Sequence, residues 1–241
     1  MSHFISFEGG EGSGKSTQAE ILCDRLVVHG YRVVRVQEPG TTDLGNHLRS
    51  YLKSTSSPLT PEAEVFLFAA ARSELVRRIV LPAIEQGKVV VADRYADSTT
   101  AYQGYGRRVP LRNIRSANDL ATADRWPGIT FLLDVPVEIG LNRARVQTSL
   151  DDDRDDGQRD KDGSKRAEES DEQRFESAGA AFHKRVRDGY LKLAAREPER
   201  WTVLDASMAE AFLAQQVWDR VSRDLEIKAT ELDGMGRLPG F

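Results

Sequence analysis

One stretch near the start of the chain, residues 7–17 (FEGGEGSGKST), constrains the fold more than any other. It contains the pattern Gly-x-x-x-x-Gly-Lys-Ser, which follows the short apolar run HFISF and precedes apolar residues at helical spacing. Glycines let successive backbone N–H groups point inward and bind an anion, and the following helix adds the partial positive charge of its N-terminus. A strand, such a loop and a helix in this order predict a phosphate-binding loop rather than an ordinary tight turn.

The side chains of this loop suit the binding of a nucleotide. Lys15 would neutralise the β- and γ-phosphates, and the hydroxyl of Ser16 would bind Mg²⁺. The motif alone leaves open GTPases, motor or transport ATPases and small-molecule kinases. The residues predicted to bind the phosphates of the nucleotide, ATP in the last two classes, are Gly9, Gly10, Glu11, Gly12, Ser13, Gly14, Lys15, Ser16 and Thr17.

Apolar strands alternate with helical segments along the chain. Strands are predicted at residues 3–7, 31–36, 88–92, 129–135 and 201–204, and helices at about 16–29, 43–53, 61–86, 137–147 and 208–226. Strands that are separated by helices pair in parallel, and near-continuous apolar strands suit a sheet that is covered on both faces. We therefore expect an α/β P-loop NTPase fold with a five-stranded parallel sheet flanked by helices.

A carboxylate and a guanidinium follow one of these strands directly. Asp93 and Arg94 come after residues 88–92, and ligands bind at the carboxyl ends of parallel strands. Asp93 can hold the coordination shell of Mg²⁺, and Arg94 can bind a second phosphate; a surface ion pair at a strand end is the alternative. The sequence has no Asn-Lys-x-Asp motif for guanine, which argues against a GTPase.

Composition limits the partners of the chain. The 241 residues include 34 basic and 38 acidic side chains, so no overall basic field favours nucleic acid or an anionic membrane. Cys23 is the only cysteine, which excludes an internal disulfide, and no apolar run of about 18 residues predicts a membrane span. We expect a cytoplasmic protein.

Two segments differ from the rest in composition. Residues 151–174 have almost no apolar side chains and cannot cover a core, so we expect a solvated, enlarged and charged lid at about 147–175. Its acidic residues alternate as at the start of an EF-hand, but the required glycine and glutamate are missing, which disfavours calcium. Residues 228–241 are predicted to be a flexible tail, leaving one domain over 1–227.

Four blocks of the sequence together resemble the thymidylate kinase family. They are FEGGEGSGKST at 7–17, EPGTT at 38–42, FLFAAAR at 66–72 and DRYADSTTAYQG at 93–104. The likeness extends over about residues 4–225. It implies phosphorylation of dTMP with ATP as the donor and Mg²⁺ as the cofactor, and a homodimer formed through long helices that include residues 61–86.

The resemblance also implies roles for single residues. The residues implied to act in catalysis are Lys15, Asp93 and Arg94, and those implied to bind the metal are Ser16 and Asp93. The residues implied to bind dTMP are Glu11, Glu38, Pro39, Arg49, Phe68, Arg72, Arg94, Ser98, Thr99, Tyr102 and Gln103.

Four of these residues are implied to contact the sugar and phosphate of dTMP. Glu11 would approach the 3′-hydroxyl, and Tyr102 would crowd the 2′ position and so favour deoxyribose. Arg49 would grip the acceptor phosphate, whereas Arg94 would bridge the donor and acceptor phosphates. Without the resemblance, Arg49 would be interpreted as a surface arginine.

Four others are implied to contact the base. Phe68 would stack on thymine, although an apolar helix face also suits a phenylalanine of the core. Arg72, one helical turn further, would read thymine O4. Thr99 and Gln103 would form hydrogen bonds with the base, although each alone reads as ordinary helix surface.

The chain departs from the family pattern in two respects. The family usually has Arg-Glu-Pro-Gly-Gly-Thr where residues 37–42 read QEPGTT; Glu38–Pro39 is a candidate for the cis peptide bond of the family. The loop also lacks an arginine, which implies that a lid arginine reaches ATP. The candidates, of which the first is assigned to the ATP site, are Arg143, Arg145, Arg154, Arg159, Arg166 and Arg174.

Two other functions remain open at this point. One is a kinase for a different nucleotide or deoxynucleoside, and the other is a nucleotide-binding regulator without turnover. The altered QEPGTT block and the unusual lid favour the regulator, whereas Lys15, Asp93 and Arg94 argue against it.

Overall fold

The structure is a computed structural model, and it describes residues 3–53, 59–155 and 178–227. Most of the predicted lid and the whole of the predicted tail lie outside these residues. Of the candidate lid arginines, Arg159, Arg166 and Arg174 also lie outside them, as does the side chain of Arg154.

Five strands form one parallel sheet in the order β2-β3-β1-β4-β5. The strands are β1 (Phe4–Glu8), β2 (Val33–Gln37), β3 (Val89–Asp93), β4 (Ile129–Asp134) and β5 (Trp201–Asp205). The central strand β1 and its neighbour β3 are buried along their whole length because helices cover both faces of the sheet. The expected α/β fold with a five-stranded parallel sheet is confirmed.

Nine α-helices lie in the described part of the chain. They are α1 (Lys15–Val28), α2 (Asp43–Lys53), α3 (Pro61–Leu75), α4 (Leu81–Glu85), α5 (Ala96–Thr99), α6 (Leu111–Thr122), α7 (Val137–Asp155), α8 (Ala180–Arg196) and α9 (Glu210–Asp224). The π-helical segment Val76–Val80 joins α3 to α4, and Thr100–Gly106 continues α5 in the same way. None of the described helices is both long and apolar enough to cross a membrane.

The core lies on both faces of the sheet. On one face, Leu22 and Leu26 of α1 pack with Val217 and Trp218 of α9. On the other face, the α3–α4 helix contributes a second cluster around Leu75. The helices predicted at 16–29, 61–86 and 208–226 therefore each bury apolar residues in the core, although Val27, Phe66 and Phe212 of the same helices are exposed.

The strand register sets the position of the functional loops. Phe7 of β1 is aligned with Asp93 of β3, and the N–H of Arg94 donates to the carbonyl of Phe7 at 3.0 Å. The loop after β1 and the loop after β3 are consequently neighbours at the carboxyl end of the sheet. The Glu38–Pro39 peptide bond, in the loop after β2, is cis, as the resemblance implied.

Candidate active site

The loop between β1 and α1 needs glycine for a steric reason. Gly12 has φ +62°, and a Cβ atom there would lie 2.0 Å from the carbonyl oxygen of Gly140 in α7. Gly14 has φ +86° and forms the N-cap of α1. The loop therefore packs closely against α7 while it presents the N-terminus of α1 toward the cleft beside it.

Lys15 is held inside this loop. Its side chain is 7% exposed, and Nζ donates to the carbonyl of Gly10 at 2.7 Å and to Ser13 Oγ at 3.2 Å. Burial lowers the pKa of Lys15 to about 8, and the charge of Arg94 acts in the same direction. Its ammonium group is poorly compensated, and phosphates beside it would supply negative charge.

Ser16 and Asp93 bring two oxygen ligands together. Ser16 Oγ donates a hydrogen bond to Asp93 Oδ2 at 2.5 Å, although 77 residues separate them. Among the described residues no group of three or more His, Cys, Asp or Glu side chains could hold a metal ion. One hydroxyl and one carboxylate nevertheless fit Mg²⁺, which keeps several water ligands and binds substrate phosphates.

A large open cleft of about 820 Å³ lies beside the loop. The predicted residues that line it are Gly12, Ser13, Gly14, Lys15, Ser16, Thr17 and Arg143. Arg143 is anchored there because its Nη1 donates to the carbonyl of Ala206 at 2.7 Å. Gly10 and Glu11 instead line a small cavity between β4 and α8, and the carbonyl of Gly9 faces Arg94.

Sequence reasoning missed several residues of this cleft. Asn142 on α7, and Ala206 and Met208 after β5, line it as well. The signal available in the sequence was their position, because residues that follow a parallel strand lie at the ligand-binding edge of the sheet.

A second cavity, of about 130 Å³, lies on the other side of Arg94. The predicted dTMP-binding residues that line it are Glu38, Pro39, Arg49, Phe68, Arg72, Arg94, Ser98, Thr99, Tyr102 and Gln103. Leu52 and Tyr95 complete the lining and were not predicted. Glu11 does not line it, but its carboxylate contacts two residues that do.

Phe68 and Arg72 form part of the wall that α3 gives to this cavity. Phe68 is half-buried and lines the cavity, so it is not a residue of the closed core. Arg72 is 1% exposed, and its guanidinium donates to Glu38 at 2.8 Å and to Asn118 and Thr99 at 2.9 Å each. Burial raises the pKa of Glu38 to about 7, although Arg72 opposes the shift. Arg72 thus holds the cavity wall together as well as facing the cavity.

Arg94 lies between the phosphate loop and the second cavity. Its guanidinium donates to the carbonyl of Gly9 and to Glu11 Oε2, each at 3.1 Å, and to the hydroxyl of Tyr102 at 3.2 Å. Burial alone would raise the pKa of Glu11, but the charges of Arg94 and Lys15 lower it to about 2. The backbone of Arg94 has φ +67°, a strained value for a residue other than glycine, which is typical of functional sites.

A buried carboxylate at the end of β1 supports the loop that carries Arg94. Glu8 is fully buried and accepts from the N–H of Tyr95 at 2.8 Å, from Ser98 Oγ at 2.6 Å and from the hydroxyl of Tyr190 at 3.0 Å. Burial raises its pKa to about 7, and the charge of Asp97 adds to the shift. Glu8 was missed, although an acidic residue in the apolar strand FISFE was a signal.

The arrangement brings two anion-binding regions together head to tail. One region offers backbone amides, Lys15 and an oxygen site for a cation, and the other is a smaller cavity with Arg49 and Arg94 in its lining. Arg94 contacts the first region and lines the second. This geometry suits transfer of a phosphoryl group between two bound phosphates, which requires positioning and neutralisation of charge more than a strong base.

Comparisons with known proteins agree with this geometry. The family model described as Thymidylate kinase matches residues 7–162. The thymidylate kinase of Thermomicrobium roseum is 42% identical over 222 residues, which are 92% of this chain and 95% of that protein. The thymidylate kinase of Geobacter sp. is 43% identical over 208 residues, which are 86% of this chain and 85% of that protein. The crystal structure of thymidylate kinase from Ehrlichia chaffeensis matches with a TM-score of 0.66 and 31% identity, covering 90% of this chain and 97% of that one.

Proposed function

Since the chain belongs to the thymidylate kinase family, we propose that it phosphorylates dTMP to dTDP with ATP and Mg²⁺ by in-line phosphoryl transfer. The observation that carries the proposal is the position of Arg94, which contacts the carbonyl of Gly9 in the phosphate loop and lines the second cavity. A guanidinium there can contact the phosphates of both substrates.

The donor site is the open cleft beside the phosphate loop. Backbone amides of the loop and the N-terminus of α1 would bind the phosphates of ATP, and Lys15 would neutralise their charge. Ser16 and Asp93 would hold Mg²⁺, which when bound supplies further positive charge to the β- and γ-phosphates. Arg143, anchored at Ala206, would line the side of the cleft.

The acceptor site is the cavity of about 130 Å³. Phe68 would present its ring to the thymine base, and Arg49 would bind the phosphate that accepts the new group. The hydroxyl of Tyr102 donates to Glu11 Oε1 at 2.7 Å, so these two side chains form one unit where the sugar would lie. Glu11, as a carboxylate, can accept a hydrogen bond from the 3′-hydroxyl.

During transfer, this chain's own residues position the reacting groups and spread their charge. Lys15 and Arg94 would lie on two sides of the transferred group, where positive charge stabilises the transition state. The hydrogen bonds of Arg94 to Gly9, Glu11 and Tyr102 fix its orientation in advance. A preformed donor of this kind needs little reorganisation when the reaction takes place.

The proposal is tested by measuring release of ADP in a coupled assay with and without dTMP. We expect ADP release that depends on dTMP. The same assay with dUMP, dCMP, dGMP or thymidine in place of dTMP compares the rates with other acceptors. Lys15→Ala should lose turnover without loss of the fold, whereas the exposed control Lys184→Ala should keep it. If the protein binds ATP but dTMP causes no release of ADP, a nucleotide-binding regulator is favoured. If another acceptor gives faster release than dTMP, a kinase for that acceptor is favoured.

We further propose a cytoplasmic homodimer whose interface includes α3 and α6. These helices pack together, and each carries a large apolar side chain on its outer surface, since Phe66 is 70% and Leu120 is 77% exposed. Burying such side chains against a second copy would remove apolar surface from water. Sedimentation velocity should show a dimer that Phe66→Asp weakens, whereas a wild-type monomer at micromolar concentration would contradict the proposal.

A further inference from the structure

We propose that Glu64, paired with Arg107, fixes the side-chain amide of Gln103 in one orientation and thereby selects acceptor bases that carry an N3–H group. The inference rests on the proposed function, because it concerns the acceptor cavity of that reaction. Glu64 is a positioning residue in this view, since it acts on the base only through Gln103.

Glu64 is an acidic residue buried behind the cavity wall. It lies in the first turn of α3 and is 1% exposed, although acidic side chains are rarely buried to that extent without a partner. Its partner is Arg107, whose Nη2 lies 3.2 Å from Glu64 Oε1 and whose Nε donates to Oε2 at 3.4 Å. The pair joins the start of α3 to the end of the π-helical segment that carries Gln103.

The third member of the cluster is Gln103. Its Nε2 donates to Glu64 Oε2 at 3.0 Å, and the residue lines the acceptor cavity. The carboxylate of an ion pair can only accept hydrogen bonds, whereas an amide has a donor end and an acceptor end. With the amide reversed, Oε1 of Gln103 would face Glu64 Oε2 and two buried acceptors would be left opposed. Glu64 therefore holds the NH₂ group of Gln103 toward itself.

The acceptor end of the amide is then left for a ligand. Among the described residues, no side chain or backbone group donates to Gln103 Oε1, so the oxygen is available at the cavity lined by Gln103. Thymine and uracil carry an N–H donor at N3 and can satisfy this oxygen. Cytosine has an unprotonated N3, which is an acceptor, and so would oppose a second acceptor to Oε1. The cluster should consequently disfavour cytosine without distinguishing thymine from uracil.

The test compares Glu64→Gln with Glu62→Gln. Both changes remove one charge from the first turn of α3, but Glu62 is exposed at the surface and lines neither cavity. The glutamine at position 64 can accept or donate, so the amide of Gln103 becomes free to adopt either orientation. Isothermal titration calorimetry measures the affinities for dTMP, dUMP and dCMP in each protein.

In the wild-type protein and in Glu62→Gln, we expect dTMP and dUMP to bind more tightly than dCMP. In Glu64→Gln, the preference for dTMP over dCMP should fall by about tenfold or more, the effect of one hydrogen bond and one opposed acceptor. The ratio of dTMP to dUMP should stay the same. If Glu64 had only a structural role, Glu64→Gln would lower the affinities for all three nucleotides by a similar factor. That result would overturn the inference.

A second variant covers the case in which Glu64→Gln does not fold. Arg107→Gln removes, at a partly exposed position, the guanidinium that holds the Glu64 carboxylate in place, so the carboxylate fixes the amide of Gln103 less firmly. We expect a smaller loss of preference in the same direction, and an unchanged preference would overturn the inference. Absence of ADP release with dTMP would contradict the proposed function, whereas these affinities would still test the orientation of the amide.

Discussion

Binding of ATP to this protein should be coupled to uptake of a proton by Lys15 at alkaline pH. In the structure, burial and the charge of Arg94 lower the pKa of Lys15 from 10.5 to about 8. The β- and γ-phosphates would place negative charge beside Nζ, which favours the ammonium form and raises the pKa. Lys15 in the complex would therefore hold a proton that it has lost in the protein without nucleotide.

The magnitude follows from the shift in pKa. With a pKa of about 8, the side chain is about half deprotonated at about pH 8 and about nine-tenths deprotonated at about pH 9. If the phosphates restore the ordinary lysine value, uptake is about 0.1 proton at pH 7, about 0.5 at pH 8 and about 0.9 at pH 9. Uptake therefore increases with pH, and the affinity for ATP decreases with pH above about 8.

The assay is isothermal titration calorimetry of ATP into the protein in two buffers that differ in ionisation enthalpy. The difference in observed heat gives the number of protons taken up. Lys15→Arg is the control, because a guanidinium keeps its charge throughout this range and should bind ATP without uptake. The reasoning is refuted if the wild-type protein takes up no proton at about pH 9, or if Lys15→Arg takes up as many.

Three further predictions concern single substitutions. Phe68→Ala should raise the KM for dTMP about tenfold with little change in Tm, because Phe68 lines a cavity; a lower Tm with an unchanged KM would assign Phe68 to the core instead. Asp93→Asn keeps a partner for Ser16 but loses the charge, so the Mg²⁺ concentration for half-maximal turnover should rise about tenfold, and an unchanged requirement would place the metal elsewhere. Arg200 Nη1 lies 2.7 Å from Asp97 Oδ2, so Arg200→Met leaves a buried carboxylate without its partner. We expect the free energy of unfolding, measured with urea, to fall by about 3–5 kcal/mol. A loss under about 1 kcal/mol would contradict this expectation.

The parts of the site that were predicted from the residues alone are local in the sequence. The phosphate loop is contiguous, and its glycine spacing, the strand before it and the helix after it are read within 30 residues. The sheet was predicted because buried parallel strands have nearly continuous apolar runs. The acceptor cavity was predicted only through the resemblance, because its lining comes from separate segments between Glu38 and Gln103.

Two of the longer helices, α6 and α8, were not predicted, and each buries polar residues or glycine among its apolar ones. In α6 the buried side chains include the polar residues Asn118 and Thr122, so the buried positions cannot be predicted from polarity alone. In α8 the buried residues include His183 and Gly189 beside Phe182 and Tyr190. Their packing depends on partners in other segments, such as the π-helical segment that follows α5.

The sequence by itself determined the sheet, the phosphate loop and the residue types at the carboxyl edge, because strand burial and loop geometry depend on near neighbours. Only the tertiary structure decided which polar side chains meet. Ser16 reaches Asp93, Gln103 reaches Glu64 and Tyr190 reaches Glu8 across separations of 77, 39 and 182 residues. Such pairs are set by the register of parallel strands and by the packing of helices upon them, and neither is encoded in the spacing of residues along one segment.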